Sequence, residues 1–262
     1  MASRAISLAL LVAAAAVASA SAQLDEKFYS QTCPSVEAVV RREMVRALSA
    51  APSLAGPLLR MHFHDCFVRS KGPFWAVPLG RRDGRVSISN ETNQLPPPTA
   101  NFTVLTQLFA AKNLDIKDLV VLSAGHTIGT SHCFSFSDRL YNFTGMDNVH
   151  DVDPTLEVQY MARLRSKCPS LDDNTTVVEM DPGSFRTFDL GYFKHVAKRR
   201  GLFHSDGALL TNSFTRAYVQ RHAAGFQEEF FADFAASMVK MGNVDVLTGA
   251  QGEIRKKCSV VN

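Results

Sequence analysis

Arg60 and His64 stand four residues apart in "LLRMHFHDCFVRSKGPFW", residues 58–75. On a helix that spacing sets both side chains on one face, with Phe63 on the next column. A fixed cation beside an imidazole suits chemistry in which a base takes a proton while positive charge stabilises a departing, negatively charged oxygen. On the residues alone, a chance Arg–His pair on a partly exposed helix stays open. A zinc cluster of His62, His64, Asp65 and Cys66 fits poorly, because His62 and His64 would point about 200° apart on a helix. A second constellation is "DLVVLSAGHTIGTSHC", residues 118–133. Periodicity places Leu119, Leu122 and His126 on one helical column, and Gly125 and Gly129 permit close approach by a flat ligand or a sharp turn. Taken alone, His126 reads as a core or capping histidine.

The elements that must carry these residues are mostly helical. "SVEAVVRREMVRALSA" sets Val36, Val39, Val40, Met44 and Leu48 on one stripe, opposite Arg41, Arg42 and Glu43. "SLAGPLLRMHFHDCF" continues as helix after Pro57, which suits a first turn. Helical stretches are expected over 102–113, 115–126, 154–168, 188–200 and 213–242. Few alternating runs compete, so the expected class is mainly α. Residues 70–101 concentrate Gly, Pro and Asn and read as loop.

With 262 residues, 46% hydrophobic and 20% charged, the chain can build one sizeable core or two lobes around a cleft. A net charge of +3 is too mild to argue for a nucleic-acid partner. Residues 1–22 read as a signal peptide, with Arg4, an apolar run and a small-residue cleavage site before Gln23. No other apolar run is long enough to span a membrane. Sequons at Asn90, Asn101, Asn142 and Asn174 suit the secretory route. Secretion makes Cys33, Cys66, Cys133, Cys168 and Cys258 disulfide candidates, and five cysteines leave at least one over.

The two constellations, followed in order by "GPFWAVPLGRRDG", "DRLYNFTG", "DPGSFRTFDLGYF", "GLFHSDGALLTN" and "GEIRKKCSVVN", resemble the secretory plant haem peroxidases of class III. The resemblance covers most of the chain after the leader. It implies a two-lobed, mainly α fold over residues 23–262, with haem b between a distal part (23–71) and a proximal part (102–262) joined by loops (72–101). His126 matches the proximal iron ligand and Asp206 the carboxylate that hydrogen-bonds its other ring nitrogen. His64 matches the distal base, Arg60 the distal cation, and Phe63 the ring that restricts donors to the haem edge. Pro96 matches a proline whose carbonyl can receive a phenolic hydroxyl. Thr127, Asp181, Ser184, Thr187 and Asp189 match a proximal calcium site, with Ser184 where threonine is commoner. Cys133 and Cys168 match one family disulfide. The implied activity is peroxide-driven, one-electron oxidation of small phenolic donors by a secreted monomer, in the extracellular space or wall.

One departure cuts across this pattern. Asp65 and the Val68 carbonyl match the first distal calcium ligands, but the family continues after "HDCFV" with a Gly-Cys-Asp-x-Ser segment, whereas here Arg69 is followed by "SKGPFW". Several tens of residues are missing in family terms. The resemblance places in that block two helices, the remaining distal calcium ligands, the asparagine that orients His64, and the partners of Cys33, Cys66 and Cys258. The distal calcium site is then lost and the distal lobe incomplete. The alternative reading is a secreted glycoprotein of peroxidase descent without turnover.

Overall fold

Burial, rather than amphipathic striping, selects the central helix of this protein. Leu119, Val120 and Val121 are consecutive and at most 1% exposed, so the helix that carries them is covered on most sides; each such side chain contributes roughly 1.5–3 kcal/mol relative to exposure. The computed structural model describes residues 24–51, 54, 73, 75–86, 88–146, 150–257 and 259–262. Arg60, His64, Phe63, Asp65, Val68, Cys66, Cys258 and the leader expected over residues 1–22 lie outside the described residues.

Among the described residues the helices are α1 (Val36–Ala50), α2 (Phe102–Ala110), α3 (Ile116–Ser123), α4 (Asp138–Tyr141), α5 (Val158–Lys167), α6 (Gly191–Ala197), α7 (His204–Ala208), α8 (Ser213–Ala223) and α9 (Gln227–Gly242). The regular strands among them are β1 (Thr130–His132) and β2 (Val177–Glu179), an antiparallel pair with Ser131 opposite Val178. The class is mainly α, as expected.

The chain folds as two units. The smaller comprises the described residues up to Glu37 and those within Ala76–Glu91 and Asp245–Asn262. Backbone bridges pair Asp25 with Leu79 and Asp83 with Glu253. Gly252 has φ +61°, and a Cβ there would collide with the Asp83 carbonyl, so this crossing requires glycine.

The larger unit comprises the described residues within Ala38–Trp75 and Thr92–Val244. Asp115 caps α3 through a reciprocal box with Asp118. Asp118 is itself buried and also accepts from Ser237 Oγ at 2.8 Å and Lys240 Nζ at 2.9 Å, which fixes α9 against α3. Phe188, Phe193, Phe230 and Phe234 interlock beneath these helices, with ring centroids 4.7–5.7 Å apart. A second cluster gathers Phe136, Leu140, Leu156, Leu164, Val178 and Leu202 around the Cys133–Cys168 disulfide, the pairing the family resemblance implied. Cys33 is free and exposed.

Three sequence expectations are corrected. The stretch 213–242 is two helices: Gly225 (φ +136°) and Phe226 (φ +65°) break it, because the left-handed backbone cannot continue an α-helix. His126 does not extend the helical column of Leu119 and Leu122, since α3 ends at Ser123 and a 3₁₀ turn over Ala124–Thr127 carries the histidine. The apolar stripe of α1 buries Leu48, whereas Val39 and Val40 are 40% and 39% exposed.

Candidate functional site

The turn at the end of α3 is closed by Gly129, whose φ of +108° lies in the left-handed region. Its N–H donates to the Phe185 carbonyl at 2.8 Å, and its carbonyl accepts from Met180 N–H at 3.1 Å. The chain then enters β1, and pairing with β2 draws the 180–189 loop alongside residues 126–129. This short ribbon is therefore the device that brings Thr127 to Asp181, 54 residues away in sequence.

His126 Nδ1 lies 2.9 Å from Asp206 Oδ1. An ionised carboxylate only accepts, so the proton sits on Nδ1 and the lone pair on Nε2. The same Asp206 oxygen accepts from the Tyr192 hydroxyl at 2.9 Å, and the other accepts from Phe203 N–H at 2.8 Å. Burial and the neighbouring Asp206 charge push the Tyr192 hydroxyl well above the ordinary tyrosine range, so it remains a donor. Asp206 is 1% exposed, whereas the His126 side chain is 34% exposed. Phe203 and Tyr192 meet the imidazole edge-on, at 4.8 and 6.0 Å between centroids. The ring is thus fixed at its buried nitrogen, while Nε2 makes no hydrogen bond to the described residues. A neutral imidazole oriented in this way by a carboxylate is an arrangement suited to metal ligation.

What holds Asp206 lies deeper. Arg139 is 1% exposed, and its Nε donates to Asp153 Oδ2 at 2.8 Å. One terminal nitrogen donates to the carbonyls of Gly201, Leu202 and Phe203 at 2.7, 2.8 and 2.9 Å. Burial alone would raise the Asp153 pKa, but hydrogen bonds from Thr155 and the charge of Arg139 outweigh it and hold the carboxyl below its usual range. The guanidinium therefore pins the three residues that lead into α7. Gly201 permits the close approach, because a Cβ there would come within 2.6 Å of Asp206 Cβ.

Beside His126, oxygen atoms converge. Thr127 Oγ1 donates to Asp181 Oδ2 at 2.9 Å, and the Ser184 hydroxyl lies 3.5 Å from Asp189 Oδ1. Asp181 is 0% exposed and its Oδ1 has no hydrogen-bond partner; His195 Nε2 stands 3.4 Å away. Burial raises the Asp181 pKa, with the Thr127 hydrogen bond opposing it. A Cβ at Gly191 would come within 2.7 Å of Ser184 Oγ and closer still to Asp181, so the space between these oxygens is kept open by the glycine. Buried, hard and partly orphaned oxygens of this kind fit calcium. Thr187 continues the loop, with its N–H donating to the Ser184 carbonyl at 2.7 Å.

Pro96 is exposed. The segment that follows it is tied to α7: Ser205 N–H donates to the Pro98 carbonyl at 2.9 Å, and His204 Nδ1 lies 3.0 Å from the Thr99 carbonyl. The proximal residues expected from the sequence are thus brought together, with Pro96 on a strap attached to the same short helix. Sequence reasoning missed Arg139, Tyr192 and the cradle at Gly191. Arg139 carried a usable signal, since it stands between the core residues Phe136 and Leu140 in "FSFSDRLY".

The sequence model of the peroxidase family matches residues 68–225. The chain belongs to the peroxidase family. It is 69% identical to rice (Oryza sativa subsp. japonica) Peroxidase 1 over an alignment of 326 positions that covers all of both chains. It is 44% identical to Arabidopsis thaliana Peroxidase 39, covering 97% of this chain and 98% of that one, and 44% identical to Peroxidase 3 of the same plant, covering 92% and 93%. These relatives and motifs place it among the class III haem peroxidases, which makes it by family an oxidoreductase that acts on hydrogen peroxide and a donor. A 326-position alignment against 262 residues leaves at least 64 positions with no counterpart in this peroxidase. That shortfall agrees with a block missing after Arg69.

Proposed function

We propose that this chain is a secreted class III peroxidase with a complete proximal half-site and a depleted distal one, oxidising small phenolic donors by one-electron steps at low turnover. The observation that carries the reading is the His126–Asp206 pair, a buried carboxylate held by Tyr192 and Phe203 that presents Nε2 of a half-buried imidazole. Haem bound there would supply the reduction of peroxide and the oxidation of donors. His126 would hold the iron through Nε2, and Asp206 would fix the tautomer and strengthen the ring as a ligand. Thr127, Asp181, Ser184, Thr187 and Asp189 would hold a calcium ion that locks the loop next to the iron ligand. On the distal side, His64 would take the peroxide proton and return it to the departing oxygen, with Arg60 stabilising the charge that develops there. Phe63 would send donors to the haem edge, where the carbonyl of Pro96, an exposed residue, would accept a phenolic hydroxyl.

The missing block removes the residue expected to orient His64, the distal calcium ligands beyond Asp65 and Val68, and three disulfide partners. The uncovered Val39 and Val40 of α1 and the free Cys33 support that reading. The leader and sequons support an extracellular or cell-wall destination.

The test is refolding with haem and calcium, followed by the ferric spectrum and by phenol oxidation driven by peroxide. One haem per chain and slow, peroxide-dependent oxidation are expected. His64→Ala should lower the residual rate roughly 10²–10⁴-fold, the usual contribution of a positioned acid/base, and Arg60→Ala should lower it less. A rate that ignores His64→Ala would mean the distal pocket has collapsed. A chain that takes up no haem would favour the non-catalytic glycoprotein.

A further inference from the structure

Away from the proximal site, His222 near the end of α8 is 0% exposed, and neither ring nitrogen has a hydrogen-bond partner. A buried polar side chain with both nitrogens idle is costly, and native proteins seldom leave one so. Tyr218 and Phe193 face the ring at 4.2 and 5.3 Å between centroids and offer it packing without replacing the lost hydrogen bonds. The Gly225–Phe226 break folds α9 back so that Glu229 and Asp233, four residues apart and on one face of that helix, come up to the imidazole. One ligand atom from each of His222, Glu229 and Asp233 lies within 4.8 Å of the others.

The geometry points to a further metal site in this protein: His222, Glu229 and Asp233 form a three-residue centre for a late first-row divalent cation of the zinc class. An imidazole with two carboxylates suits zinc better than calcium, which prefers an all-oxygen shell. Tetrahedral coordination at about 2.1 Å per bond needs ligand atoms about 3.4 Å apart, so the carboxylates would close in by about an ångström. Glu229 is free to make that move because it is exposed; its partner is Arg221, whose Nε stands 2.9 Å from Oε1, and both side chains are more than 40% exposed. An ion pair so open to water resists displacement weakly. Asp233 is already oriented, since Tyr218 donates to Oδ2 at 2.8 Å and Lys117 reaches Oδ1 at 2.7 Å, and both contacts can persist around a metal-bound carboxylate. Coordination would clamp α8 to α9 across their turn. Because α8 packs on α6, which carries Tyr192, the clamp would tighten the support of Asp206.

The experiment is calorimetric titration of the full chain with Zn²⁺, after chelator treatment and in excess Ca²⁺ so that the oxygen site beside His126 is filled. One zinc per chain and a rise in melting temperature are expected. Glu229→Gln, on the surface and so not expected to perturb folding, should weaken zinc at least about tenfold, the lower bound for loss of even an outer contact to a metal. His222→Gln should do the same, and Arg221→Ala should bind zinc more tightly by releasing Glu229. Zinc bound equally by Glu229→Gln and the unmodified chain would place it on other histidines and overturn the proposal. Failure of the unmodified chain to bind would overturn it as well.

Discussion

Replacing His126 by Ala should abolish stoichiometric haem binding while leaving the fold intact. The side chain is 34% exposed, so its removal opens no core cavity, whereas its Nε2 is the nitrogen that the Asp206 hydrogen bond leaves available for iron. Titration with haem should give a one-to-one histidine-ligated ferric spectrum for the unmodified chain and unligated, loosely bound haem for the variant. Added imidazole should restore the spectrum, which separates loss of the ligand from misfolding. Asp206→Asn should keep haem but weaken binding or turnover about 10–100-fold, because the partner that fixes a ligating histidine typically contributes that much. An unchanged spectrum in His126→Ala would place the iron elsewhere.

Arg139→Ala should be the most destabilising single change in the larger unit. It leaves Asp153 as an uncompensated buried charge and orphans the carbonyls of Gly201, Leu202 and Phe203. Removing one partner of a buried pair costs about 3–5 kcal/mol, against a total stability of about 5–15 for a whole domain. At the usual conversion that lowers the melting temperature by roughly 6–20 °C, measured by circular dichroism with calcium present. Arg139→Lys should recover only part of the loss, since a point charge cannot spread donors across an acid and three carbonyls. A shift below about 2 °C, less than 1 kcal/mol would cause, would mean that the segment before α7 is held by other contacts.

The proximal site was legible because its residues lie in short motifs that match the family pattern in order. Taken alone, His126 reads as a core or capping histidine and the Asp181–Asp189 run as an acidic turn; the resemblance is what assigns them as ligands. Their convergence was not in the spacing: His126 and Asp206 are 80 residues apart, and only the family resemblance joined them. Periodicity also failed at residues 224–226, because the apolar stripe runs on through "HAAGFQEEFF" and an α-helix interrupted by two left-handed residues keeps much of its pattern. The short helix α7 has no counterpart among the expected helices, since five residues give too little periodicity to register. The role of His222 was invisible for a related reason, and the position of Arg139 hinted at burial without naming its partners. A charged or polar residue in a core is recognised by what surrounds it in space, which a linear pattern does not contain.

On the function proposed above, this peroxidase keeps its proximal half-site and lacks the frame that would hold Arg60 and His64 in place. Catalytic groups must be held within about 0.5 Å of productive geometry by the residues behind them, and the missing block is where the family carries those residues. The most direct measurement expresses the chain beside a version with the corresponding segment of a relative inserted after Val68, and compares haem occupancy and peroxide turnover per bound haem. Similar occupancy with turnover at least about 10²-fold higher in the extended chain is the predicted result, since that is the low end of what a well-placed acid/base contributes. Equal turnover per haem in the two proteins would contradict the account.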